Sequence, residues 1–193
     1  MQRRTGTFSI GLAAFVALPL ASTGASAHPG DGVGAGFLHP FTGLDHVLAM
    51  LAVGLWAGLA SRATRIAAPA AFAGAMIVGA VLAMAGVAVP AIEQGIAASL
   101  VVFGLLAVLA LRLGPAAGAA AVGAFALFHG AAHGAEMGGV PTVTYIAGFT
   151  AATLAIQLSG IGLARLLSRA KAEIVVRVAG GTTAVTGLAV AFG

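Results

Sequence analysis

The sequence predicts an all-α, polytopic membrane protein, with about six transmembrane helices behind a cleavable signal peptide. Three observations predict it. Sixty per cent of the 193 residues are hydrophobic and 7% are charged, whereas a water-soluble domain carries roughly 25% charged residues. The apolar residues fall in runs close to the ~20 residues that cross about 30 Å of hydrocarbon. The basic residues cluster in alternate connections between those runs. A mean hydropathy of +1.08 agrees.

Composition also narrows the chemistry. There is no cysteine, which excludes disulfides, thiolate metal sites and cysteine nucleophiles. The net charge of +4 is no nucleic-acid footprint. Of the nine basic residues, Arg3 and Arg4 stand in the signal region and the other seven are scattered through short connections and helix ends. The 29 glycines suit membrane helices that pack closely through small residues.

The domain organisation follows: residues 1–27 as signal peptide and 28–193 as a single six-helix transmembrane domain. Arg3 and Arg4 form the charged start of the signal, 8–20 its apolar stretch, and Ala25-Ser26-Ala27 an A-x-A cleavage site. The alternative is an uncleaved first helix. Cleavage would make His28 the first mature residue. The freed amino group and imidazole would then form either a metal chelate or a polar tail.

The six expected spans are 38–60, 66–89, 95–112, 115–135, 143–167 and 173–192, separated by breaks at 61–65, 90–94, 114–115, 138–141 and 168–171. With the mature N-terminus outside, the connections holding Arg62 and Arg65, Arg112, and Arg165, Arg169, Lys171 and Arg177 all fall inside. The outer segments hold Asp31, Glu93 and Glu136 and no Lys or Arg. This is the positive-inside pattern. It expects a bacterial inner membrane, with both mature termini on the outer, periplasmic side.

Against this apolar background the ligand-type residues stand out. One run is His39-Pro-Phe-Thr-Gly-Leu-Asp45-His46, with Met50 one turn on; the other is His129-Gly-Ala-Ala-His133-Gly-Ala-Glu136. At about 100° per residue, 129, 133 and 136 fall at about 0°, 40° and −20°, a single stripe of two imidazoles and a carboxylate. Gly130, Gly134 and Gly138 form a neighbouring stripe that lets another helix approach. His39 and His46, seven apart, would share a face of the first span, unless Pro40 takes the first helical position and leaves His39 at the cap. The first span runs inward and the fourth outward, so topology brings both runs to the outer leaflet. Ionisable groups at that depth face a bundle interior, a cavity or one another.

Mixed imidazole and carboxylate ligands suit a divalent first-row metal such as nickel, cobalt or zinc. The candidate ligands are His39, Asp45, His46, His129, His133 and Glu136. Asp45 is either a direct ligand or the acceptor that orients a histidine. Glu93, at the outer end of the third span, is either a solvated or capping residue or an entrance gate for the ion. Met50 reads as adaptable filler, Gln157 as an interhelical hydrogen bonder, Trp56 and Phe149 as packing or lipid-facing, and Phe41 as a cavity wall.

At His39-Pro40-x-x-Gly43-x-Asp45-His46 and His129-Gly130-x-x-His133-Gly134-x-Glu136 the chain resembles the HupE/UreJ family of small nickel permeases. The signal peptide, the span count and the length match as well, so the resemblance covers essentially the whole chain. It implies uptake of nickel or cobalt for hydrogenase or urease maturation, with the residues above binding the ion in transit. The ion is then substrate, and no permanently bound cofactor is expected. The expected partners are the divalent ion and the lipid bilayer, with no nucleic acid. No Walker motif is present and the loops are short, so no ATPase subunit is implied. This is not the pattern of an enzyme. The rival reading, an intramembrane metal-dependent hydrolase, lacks an H-E-x-x-H and a separate general base. A membrane metal sensor or accessory protein is the third reading.

Overall fold

In the computed structural model, residues 32–136 and 142–193 are described, and these are all-helical, without a strand. The expected signal peptide, His28, Asp31 and Gly138 lie outside the described residues. Among the described residues seven helices follow one another: α1 (Gly32–Leu38), α2 (Leu44–Leu59), α3 (Arg62–Met84), α4 (Ile92–Leu109), α5 (Pro115–Ala135), α6 (Thr142–Arg169) and α7 (Glu173–Phe192). A single 3-10 turn, His39–Phe41, joins α1 to α2.

Five helices, α3 to α7, are long and apolar enough to cross a membrane. Among the described residues, the candidate for a sixth span is a bent pair, in which Gly32–Phe41 meets Leu44–Leu59 at 82°. This corrects the expectation of one continuous helix over 38–60. The cause is local. Pro40 brings no N–H and no freedom in φ, the Thr42 hydroxyl donates back to the His39 carbonyl at 2.7 Å, and Gly43 is extended at φ −108° and ψ 115°. The helix proper restarts at Leu44. With 16 residues, α2 is about 24 Å long at 1.5 Å per residue.

The other boundaries have similar local causes. The Ser61 side chain accepts from the Thr64 amide at 3.2 Å and caps α3. Pro115 occupies the first turn of α5, where its missing N–H costs nothing. Pro69 sits inside α3, which membrane helices tolerate when neighbours enclose them.

Helix α2 is the hub. It packs against α3, α4, α6 and α7, and Met50, Val53 and Trp56 on it are fully or almost fully buried. The tightest seam joins α3 to α5. A side chain on Gly130 would strike the Met76 carbonyl, one on Gly134 would meet the Ala80 carbonyl at 2.5 Å, and one on Gly79 would strike the Leu127 carbonyl. The small-residue stripe therefore does bring two backbones into contact. Large apolar side chains such as Val143, Leu158, Leu166, Val178 and Phe192 point outward, as a lipid-facing surface needs.

The two ends of the bundle differ. At one end the Trp56 indole donates to the Leu111 carbonyl at 2.8 Å, the Thr64 hydroxyl to the Leu113 carbonyl at 3.1 Å, and Arg177 to the Val108 carbonyl at 2.9 Å. These bonds draw the α2–α3, α4–α5 and α6–α7 connections together. At the same end, a cavity of about 260 Å³ is lined by Leu59, Leu109, Ala110, Arg112, Ser168, Glu173 and Arg177. The histidines gather at the other end.

Candidate metal centre

The site begins with the break before α2. Asp45 falls in the first turn of that helix, and its Oδ1 accepts from the His46 amide at 2.9 Å and lies 3.0 Å from His46 Nδ1. A side chain on Gly43 would lie 2.7 Å from that carboxylate oxygen and 3.0 Å from the imidazole, so glycine leaves this arrangement its space. A carboxylate only accepts, so Nδ1 carries the proton. Nε2 of His46 then keeps its lone pair, and it is buried without a partner.

Helix α5 supplies the second group. His129 Nε2 lies 2.8 Å from Ser99 Oγ on α4, and that hydroxyl lies 2.6 Å from the Ile96 carbonyl. Ser99 has one proton, and the carbonyl takes it. His129 Nε2 therefore donates, and Nδ1, also buried without a partner, keeps the lone pair. One turn further along α5, His133 is 1% exposed, and neither of its ring nitrogens has a partner. Its ring stacks on Phe149 of α6 at 5.1 Å. Beyond it, Glu136 ends α5 and places Oε2 2.8 Å from His39 Nε2.

The four imidazoles form a ladder. Ring centroids lie 4.9 Å apart for His39 and His133, 4.8 Å for His133 and His46, and 4.9 Å for His46 and His129. The ladder runs from half-buried His39 to fully buried His129. A cavity of about 220 Å³ opens at its outer end, lined among others by His39, Asp45, His46, Glu93, His133 and Glu136. Among the described residues, His39, His133 and Glu136 bring one ligand atom each within 4.8 Å of one another. Two imidazoles and a carboxylate so placed can share one divalent first-row ion.

All six candidate ligands from the sequence thus meet around one cavity and the ring ladder beneath it. Glu93 is exposed and borders the same cavity. The shared helical face expected for His39 and His46 does not form, because the bend intervenes; His133 joins them instead. Phe41 is no cavity wall: it is 50% exposed and leans on Phe37 at 6.1 Å. Gln157 is buried with both amide atoms unpartnered, so it is not the expected interhelical hydrogen bonder. Trp56 and Phe149 are both packed inside.

Ser99, Phe72 and Tyr145 escaped the sequence reading. Phe72 meets His129 at 5.6 Å, and Tyr145 meets His39 at 5.6 Å. Tyr145 is the chain's one tyrosine, a signal that was available. Ser99 lies in an apolar helix 30 residues from its partner, and nothing local marks it.

Comparison with known proteins places the chain in a family. The sequence model of the family described as HupE / UreJ protein matches residues 15–190. "Protein HupE" of Rhizobium leguminosarum bv. viciae is 44% identical over 174 residues, covering 88% of this chain and 91% of the relative. No solved structure matches.

Proposed function

We propose that this chain, which belongs to the HupE/UreJ family, is a permease that imports nickel or cobalt ions for hydrogenase or urease maturation. Family membership supports the link to nickel and cobalt transport. The finer reading, capture through the histidine and carboxylate cluster, rests on one observation. His133 is buried between His39 and His46 with no partner on either ring nitrogen. An unpaired buried polar group costs about 1–3 kcal/mol, and an arriving ion would recover that cost.

In this reading Glu136 and His39 meet the hydrated ion at the outer mouth, with Glu93 at the rim. His133 takes it as water is shed. His46 and His129 lie next on the ladder, each presenting the nitrogen that Asp45 or Ser99 leaves free. Asp45 is then the orienting acceptor of the two roles open to it. Passage needs binding firm enough to admit the ion and weak enough to release it, and sharing His133 between neighbouring rings provides a handover. No catalytic step and no ATPase subunit enter this scheme.

The chain acts from the bacterial inner membrane with the cluster facing the periplasm, after removal of residues 1–27. Protein sequencing of the mature N-terminus tests that processing: His28 first is the expected result, and an unprocessed Met1 would remove the N-terminal chelate.

The deciding experiment is labelled-nickel accumulation, with cobalt as competitor, in cells lacking their own nickel importers. The parent chain should accumulate nickel and His133→Ala at equal membrane level should not. Equal accumulation by both would overturn the site, and none by either would overturn import.

A further inference from the structure

Below the histidine ladder, α6 carries a second buried polar feature. Phe149, Thr153 and Gln157 follow one another at four-residue spacing, so they form one stripe on the helix. All three are fully buried. Phe149 heads the stripe against His133, and Gln157 lies eight residues further along α6, about 12 Å at 1.5 Å per residue. The stripe leads from the outer cluster toward the opposite end of the bundle.

The groups on it are weakly engaged. The Thr153 hydroxyl points at the Met76 thioether at 3.6 Å, a poor acceptor. The Gln157 carboxamide uses neither Oε1 nor Nε2. A glutamine that served as a strut between helices would spend those atoms on a neighbour. Here the backbones already touch without it, since a side chain on Gly54 of α2 would strike the Gln157 carbonyl.

We propose that Gln157, with Thr153 one turn above it, is a deeper binding station for the divalent cation on its way through the bilayer. This rests on the import reading. An amide oxygen and a hydroxyl are neutral, weak ligands for a first-row cation that keeps part of its water. Weak ligation suits a transit point, because a second tight site below the imidazoles would trap the ion. The station differs from the cluster in lacking any ionisable group, so it passes the ion without holding a charge of its own at that depth.

The test measures initial nickel uptake, nickel bound by the purified protein in detergent, and thermal stability for the parent, Gln157→Leu and Gln157→Glu. Gln157→Leu should lower uptake tenfold or more, bind nickel at the outer cluster within twofold of the parent, and melt no earlier than the parent. Gln157→Glu should retain a second nickel equivalent that the parent does not. A Gln157→Leu protein that melts earlier and loses bound nickel as well would mark a structural amide and overturn the station. Parental uptake by Gln157→Leu would overturn the station and leave import standing. A parent without uptake would overturn both.

Discussion

Two cavities of similar size stand at opposite ends of this bundle, about 220 and 260 Å³. The one at the histidine end is lined by imidazoles and carboxylates and, among the described residues, has no Lys or Arg on its wall. The other is lined by Arg112 and Arg177, with Glu173 bound by the Ser168 hydroxyl at 2.7 Å. Space alone therefore assigns no role. Unpartnered acceptors in a low-dielectric wall attract a cation, whereas two guanidinium groups repel one. The basic end fits a determinant of orientation, and the imidazole end fits capture.

Substitutions at the two ends should have unequal effects. The largest effect is expected from His133→Ala, which removes the ring common to both halves of the ladder. Nickel accumulation should fall to the level of cells without the protein. Ser99→Ala comes next. It takes away the acceptor that fixes the His129 tautomer, and loss of such an orienting partner typically lowers metal affinity about 10–100-fold. Equilibrium dialysis of nickel against the purified variant checks this; unchanged affinity would remove His129 from the ligand set.

Smaller effects are expected at the basic end, and on different observables. Ala110 borders the cavity at that end with φ at 47°, a left-handed conformation that costs an L-residue about 1–2 kcal/mol. Ala110→Gly should raise thermal stability by up to about 1 kcal/mol and leave uptake unchanged. Arg112→Ala should change uptake least of all, staying within twofold of the parent. A collapse of uptake in Arg112→Ala, at equal membrane level and orientation, would erase the distinction between the two ends.

The elements of the fold were legible because a membrane imposes them. Apolar runs of sufficient length gave α3 to α7, and the alternation of basic connections matched the end where Arg62, Arg65 and Arg112 now stand. The stripe of His129, His133 and Glu136 was legible for the same reason: helical period alone sets it. The bend at Pro40 to Gly43 was half legible. Proline warned that His39 stood at a cap, but the 82° turn also lays α1 along α6, a contact that no local pattern records. Ser99 and Gln157 were illegible in the same sense. Each is a polar residue set among apolar ones, and whether it finds a partner is decided between helices, not along one. Ser99 found one, and Gln157 did not.

In the proposed permease, the imidazole ladder holds the ion in transit. Nickel X-ray absorption on the purified chain, loaded with one equivalent and compared with His133→Ala, tests it most directly. The expected spectrum has nitrogen and oxygen neighbours with the multiple-scattering pattern of several imidazoles, reduced or absent in the variant. A spectrum of water and carboxylate oxygens alone, or identical spectra from both proteins, would contradict it.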